Sequence, residues 1–287
     1  MNANADAVPP FHLRFWGVRG SVPTPSASHL GIGGNTPCVQ VVIGPAFSQS
    51  ESQSEELLIF DAGTGIRALG MEIAARPHPP AAIHIFLTHF HWDHLQGLPY
   101  FPPVFSPATN LVFHSAHPPD QLYAVLSAQM QSPYFPVLFG DLASHMEFRH
   151  IGSDPQRFGP VTVEAFPLNH PQGAVGYRIQ HPQKIAIYAT DHEHGHAATD
   201  NHLIAMAKDA DVLIYDAQYT PAEYESRHGW GHSTWLEAIH IASQAGAKQL
   251  VLFHHDPDRN DEAVRRIEQE ARAQFPATLA AYESLQL

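Results

Sequence analysis

Short apolar runs recur along the chain, and most of them end at an aspartate or a histidine. The runs at 11–16, 38–43, 57–60, 83–87, 111–113, 161–168, 174–180, 184–189, 212–215 and 250–253 have the length and composition of β-strands. Pro171-Gln172-Gly173 supplies a turn that pairs 161–168 with 174–180 as a hairpin. Helical spacing marks 120–131, through Leu122, Val125, Leu126 and Met130, and 261–274, which sets Val264, Ile267, Ala271 and Phe275 on one face. Further helices are expected at 66–75, stopped by Pro77, Pro79 and Pro80, at 201–207, and at 234–245. In the last of these Thr234 and Glu237 have the spacing of a capping box, and Gly246 closes the final turn.

Between these elements, 17–34 is a loop rich in Gly, Pro and Ser, and 46–56 is a Ser/Gln/Glu surface loop. The Gly-rich end of the first loop, 31–36, has no following Gly-Lys-Ser/Thr and leads into a strand. It therefore reads as a turn rather than a phosphate cradle, with Asn35 as the residue that would line a cleft. Residues 1–10 are expected to be a disordered tail, and 11–287 one domain. The segment 97–139 is rich in Pro and aromatic residues. It fits either packing between elements or a wall beside a cleft.

Composition narrows the picture. A formal net charge of -13 and only three lysines, Lys184, Lys208 and Lys248, argue against a broad surface for long nucleic acid. The single cysteine, Cys38, rules out an intramolecular disulfide and has no activating base nearby in sequence, so a buried structural thiol is expected. Residues 1–10 lack a basic start and an apolar core, and no run approaches the ~20 residues of a membrane span. A cytoplasmic protein without membrane contact is expected.

The chemistry concentrates in Thr88-His89-Phe90-His91-Trp92-Asp93-His94, which follows the strand at 83–87. Neutral imidazole and carboxylate are ligands that Zn²⁺ and similar cations prefer. The chain has 22 histidines, so a histidine-rich loop alone means little. What distinguishes this one is the strand aimed at it. Asp61, His89, His170, Asp191, Asp216 and His254 likewise lie at or just past strand ends, as a site on a rigid sheet edge requires. His192, Glu193, His194 and His196 read as a solvated loop, and His12, His84, His114, His150 and His240 as structural.

His-x-His-x-Asp-His after a strand resembles the signature of the metallo-β-lactamase-fold superfamily. The resemblance implies a mixed α/β (α+β) chain folded as an αββα sandwich, with two divalent ions at one edge, zinc before manganese or iron. By the same resemblance His89, His91 and His170 hold one ion, Asp93, His94 and His254 the other, and Asp191 bridges them. Asp61 looks like the buried aspartate that orients ligands from behind. His255 rivals His254, which is preferred because it directly follows the strand. Relatives of this kind often pair, which makes 97–139 a candidate homodimer face.

Asp216 and His232 point to the reaction. A displaced alkoxide needs a proton, and a carboxylate behind a histidine keeps that histidine charged and oriented. Asp216 with Gly231-His232-Ser233-Thr234 resembles the ribonuclease Z-like phosphodiesterase branch, although the RNA-processing enzymes carry Glu where Asp216 stands. Their basic tRNA-gripping arm has no evident counterpart here. The implied activity is hydrolysis of a small phosphodiester or cyclic nucleotide by a metal-bridging hydroxide, with Asp93, Asp216 and His232 catalytic and His232 the general acid. The alternative is a lactonase or thioesterase of the glyoxalase II kind. A di-iron oxygen-binding redox protein ranks lower, because its pattern usually has Glu at the position of His91.

Overall fold

The computed structural model describes residues 11–43, 56–78 and 80–287. The expected tail at 1–10 and nearly all of the loop at 46–56 lie outside the described residues. Thirteen strands form two sheets among the described residues. The first sheet runs β1 (Phe11–Gly17), β2 (Cys38–Ile43), β3 (Glu56–Phe60), β4 (Ala82–Phe86), β5 (Asn110–Ser115) and β6 (His145–His150), in that spatial order. The second contains β7 (Gln156–Phe158), β8 (Val161–Leu168), β9 (Ala174–His181), β10 (Lys184–Ala189), β11 (Val212–Asp216), β12 (Leu250–Phe253) and β13 (Thr278–Ala280), also in sequence order. Each sheet begins with antiparallel pairs and continues with parallel ones.

Alternation along the strands builds the layers. In β4, His84 and Phe86 face the other sheet, while Ile83 and Ile85 face outward. The inter-sheet core holds Phe15, Phe60, Phe86, Tyr177, Tyr188 and Phe253, all buried. On the outside of the first sheet lie α1 (Ile66–Ala74) and α2 (Pro119–Gln129). On the outside of the second lie α3 (Ala197–Met206), α5 (Trp235–Ala245) and α6 (Asp261–Gln274), while α4 (Pro221–Tyr224) is a single turn in the loop after β11. This is the αββα sandwich. Each buried large apolar side chain contributes about 1.5–3 kcal/mol, so the three apolar layers hold the sheets rigidly in register.

That register positions the site. Tyr188 lies beside Ile214, and Ile214 beside Val251, so β10, β11 and β12 end at one edge of their sheet. Phe60 lies beside Phe86, so β3 and β4 end together as well. Loops leaving the carboxyl ends of parallel strands are where such sheets bind ligands.

Several details differ from the sequence expectation. Helix α3 starts at Ala197 rather than 201, because Leu203 is its only fully buried residue and no apolar period marks its first turn. Thr234 accepts from the Glu237 amide, but the reciprocal bond of a capping box is absent there; the complete box is Thr220 with Glu223 at the start of α4. The short strands β6, β7 and β13 carry too little periodicity to be seen in sequence. In 97–139, Leu98, Phe101, Val104, Met130 and Phe139 are buried against the first sheet, whereas Tyr100, Phe105, Tyr134 and Leu138 are exposed. Most of that segment's apolar mass is therefore core packing. Asn35 is tied to Glu283 and Thr64 rather than to the site.

Candidate metal centre

Three strand ends force their terminal residues into an unusual conformation. Asp61, Asp191 and His254 all have left-handed φ values, of 62°, 56° and 59°. Such backbone in non-glycine residues costs on the order of 1–3 kcal/mol and gathers at functional sites. Here it turns three polar side chains toward one point between the sheets.

Two groups of donors meet at that point. His89, His91 and His170 each offer one ligand atom, and these lie within 4.8 Å of one another. His91 Nδ1 is 3.1 Å from His170 Nε2. The second group is Asp93, His94, Asp191 and His254, all buried. In it Asp93 Oδ2 lies 3.3 Å from His94 Nε2 and 3.2 Å from His254 Nε2. Asp191 faces both groups: Oδ2 is 3.3 Å from His94 Nε2 and 3.4 Å from His254 Nε2, while Oδ1 is 3.7 Å from His89 Nε2 and 3.9 Å from His170 Nε2.

The surrounding bonds select which atom each ring offers. His94 Nδ1 donates to Asp61 Oδ2 at 2.8 Å, His170 Nδ1 to the Gly231 carbonyl at 2.7 Å, and His254 Nδ1 to Gln218 Oε1 at 2.8 Å. Each leaves Nε2 aimed at the cluster. His89 Nε2 and His94 Nε2 are buried with no hydrogen-bond partner among the described residues. Orphaned imidazole nitrogens opposite carboxylates are the donor set a divalent cation satisfies, so these residues fit metal ions.

Asp61 does not join the donors. Its carboxylate accepts from the Thr88 amide and hydroxyl, His94 Nδ1 and the Tyr188 hydroxyl. The inter-sheet aromatic core thus continues into the floor of the site. Asp216 Oδ2 accepts from His232 Nδ1 at 2.8 Å and from the Asp191 amide at 3.1 Å. Its Oδ1 accepts from the amides of Gln218 and Ser233. A carboxylate so fully bonded is an orienting group, although Asp191, Asp216, His232 and His254 are also close enough to be counted as a cluster.

Charge follows the same geometry. Burial alone would raise the Asp191 carboxyl, but His254, His94 and His89 beside it pull it well below the usual carboxylate range. Asp93 is lowered in the same way, chiefly by His94. Burial opposes charge on His94, yet Asp191, Asp93 and Asp61 raise it well above an ordinary histidine. Burial pushes His89 down. His232 is raised to about 9 because Asp216 outweighs its burial.

The candidate donors His89, His91, Asp93, His94, His170, Asp191 and His254 come together here, with Asp216 and His232 beside them and Asp61 behind His94. His255 does not: its Nε2 meets the Ala281 carbonyl at 2.9 Å, facing away from the cluster. Cys38 is buried, and burial pushes its thiol up, so it stays inert. The reading of 192–196 as a solvated loop holds for exposed His196 but fails for two neighbours. His192 is buried between the Asn169 amide and Asp200, and Glu193 accepts from the amides of Gly229 and Gly231 at 2.6 and 2.7 Å and from the Tyr224 hydroxyl. Glu193 therefore fixes the loop whose Gly231 carbonyl receives His170. A Cβ on Gly231, at φ 88°, would overlap the His170 ring. Ser21 and Gln218 were also not foreseen. The Ser21 amide donates to Asp93 Oδ2 at 2.8 Å, a backbone contact with no sequence signal.

The chain belongs to the β-lactamase superfamily: the profile of the Beta-lactamase superfamily domain matches residues 57–255. Fold, family and the His/Asp clusters suited to metal ions make it a metal-dependent hydrolase of the metallo-β-lactamase fold, in the ribonuclease Z-like branch. The ribonuclease Z of Geobacillus kaustophilus is 27% identical over 295 residues, covering 87% of this chain and 94% of that protein. Among solved structures, the metallo-β-lactamase fold protein YhfI from Bacillus subtilis superimposes with a TM-score of 0.70 at 17% identity, covering 97% of this chain and 99% of that one. A diphosphatase from the PhnP family superimposes with a TM-score of 0.68 at 19% identity, covering 97% of each chain. Among the described residues, no helix is long and apolar enough to cross a membrane.

Proposed function

We propose that this chain is a dinuclear metal-dependent phosphodiesterase acting on a small phosphodiester, a class that includes cyclic nucleotides. His89, His91 and His170 would hold one ion and Asp93, His94 and His254 the other, with Asp191, which faces both groups, as the shared ligand. Zinc suits this nitrogen-rich set best. When bound, the ions would supply Lewis acidity and lower the pKa of a bound water.

The observation that carries the reading is the pair Asp216–His232. His232 Nδ1 is held by Asp216 at 2.8 Å and lies 3.9 Å from Asp191 Oδ1, beside the donor cluster. Its Nε2 has no protein partner among the described residues, and its side chain keeps 11% exposure toward the cleft. A histidine kept protonated and anchored on one nitrogen is built to give a proton from the other. His232 protonates the departing alkoxide, and Asp216 holds the ring in place and stabilises its charge. The Ser21 amide fixes Asp93, which keeps its carboxylate in register with His94 and His254. An ester whose leaving group is already stable has less need of such a donor, which separates this reading from thioester hydrolysis.

The distant ribonuclease Z and diphosphatase relatives support phosphoester chemistry. The acidic chain favours a small diester over long RNA. The test is a panel on metal-assayed protein: an aryl phosphodiester, a thioester and a lactone. Turnover of the diester alone is expected; turnover of only the thioester or lactone would move the chain to the glyoxalase II kind of hydrolase.

A further inference from the structure

Trp92 and Trp230 are 72% and 61% exposed. Single exposed apolar residues are ordinary, but both of these stand on stiff backbone at the mouth of the site. Trp92 lies between His91 and Asp93, in a one-turn helix closed by the Leu95 amide on the Trp92 carbonyl. Trp230 lies between Gly229 and Gly231, both at positive φ and both anchored by the Glu193 carboxylate. Arg227 stands 5.9 Å from the Trp230 ring centroid and 4.8 Å from that of Tyr219, with Asp256 3.4 Å away, and so braces the loop. One imidazole joins the two loops: His170 donates Nδ1 to the Gly231 carbonyl, and its Nε2 faces His91 Nδ1.

Resting on the phosphodiesterase reading, we infer that Trp92 and Trp230 determine specificity by stacking on a planar aromatic substituent of the phosphoester, a nucleobase or an aryl ring. Trp92 adjoins His91, and Trp230 adjoins Gly231, whose carbonyl meets His170, so both residues stand on the loops at the His91–His170 side of the cluster, where the substituent of a bound phosphoester would emerge. Stacking needs no basic surface, which suits an acidic chain with three scattered lysines. It is sequence-tolerant, since every base has a π-face. Arg227 adds positive charge beside the Trp230 ring and is itself paired with Asp256.

The experiment is calorimetric titration of the metal-loaded full chain with 5′-AMP and with ribose 5-phosphate, which share the phosphate and differ in the ring. Wild type should bind 5′-AMP at least about tenfold more tightly. Trp92→Ala and Trp230→Ala should each remove most of that preference with metal content retained, and Trp92→Phe should restore part of it. Equal affinities in wild type, no binding of either compound, or variants that weaken both by one factor would overturn the inference. A 5′-AMP preference that depends on the two rings, without diester hydrolysis, would keep the clamp and refute only the proposed reaction.

Discussion

Replacing Glu193 by Gln should disable the site without touching any donor to the ions. The Glu193 carboxylate accepts from the Gly229 and Gly231 amides at 2.6 and 2.7 Å and from the Tyr224 hydroxyl at 3.0 Å. Burial would raise this carboxyl, but the two amides and Tyr224 lower it, so the ionised form is the one bound. A glutamine keeps one accepting oxygen and turns its NH₂ toward the other amide. One charge-assisted bond, worth about 1.5–3 kcal/mol, is lost, and a buried donor left unpaired costs about 1–3 more. The loop escapes that penalty by opening, which withdraws the Gly231 carbonyl from His170 and shifts His232. We expect diester kcat/KM to fall by about 10²-fold or more, with metal affinity weakened about 10–100-fold, the range typical for loss of a ligand's orienting partner. The assay pairs diester kinetics with metal titration, and circular dichroism checks that the fold persists. A Glu193→Gln protein with unchanged kinetics and metal affinity would refute the reasoning.

Two further outcomes concern buried histidines, three outside the donor set and one within it. His84 and His114, 3.0 Å apart in the inter-sheet core, are lowered by burial to about 4 and about 3, so they fold neutral. The unfolded chain binds their protons from pH ~6.5 downward, so their contribution is complete above that pH and is lost as pH falls toward 4 and 3, on the order of 2 kcal/mol each by pH 5. Thermal melts at pH 7.5 and 5 should show a larger drop for wild type than for the double variant His84→Leu, His114→Phe; equal drops would contradict this. Separately, His254→Ala should lose one of two bound ions, whereas His255→Ala, which removes only a bond to the Ala281 carbonyl, should keep both but melt lower. Metal counting on the two variants decides this, and loss of an ion from His255→Ala would reverse the assignment.

The strand ends were legible because period-two and apolar runs show where strands stop, and Asp61, His89, His170, Asp191, Asp216 and His254 sit at those stops. The supporting shell was not. Glu193 works through backbone amides 36 and 38 residues away, and Ser21 through its own amide, and an amide belongs to every residue but proline. The first turn of helix α3 and the Thr220–Glu223 box escaped for a related reason: they depend on local hydrogen bonds, with little buried apolar surface to mark them.

The central claim, that His232 gives a proton to the leaving group at a two-metal site, is tested most directly by His232→Ala, with bound metal and diester turnover measured on the same sample. The account predicts two ions retained and turnover reduced by about 10²–10⁴-fold, least for the diester with the most stable leaving group. Retained turnover, or loss of metal in proportion to activity, would contradict it.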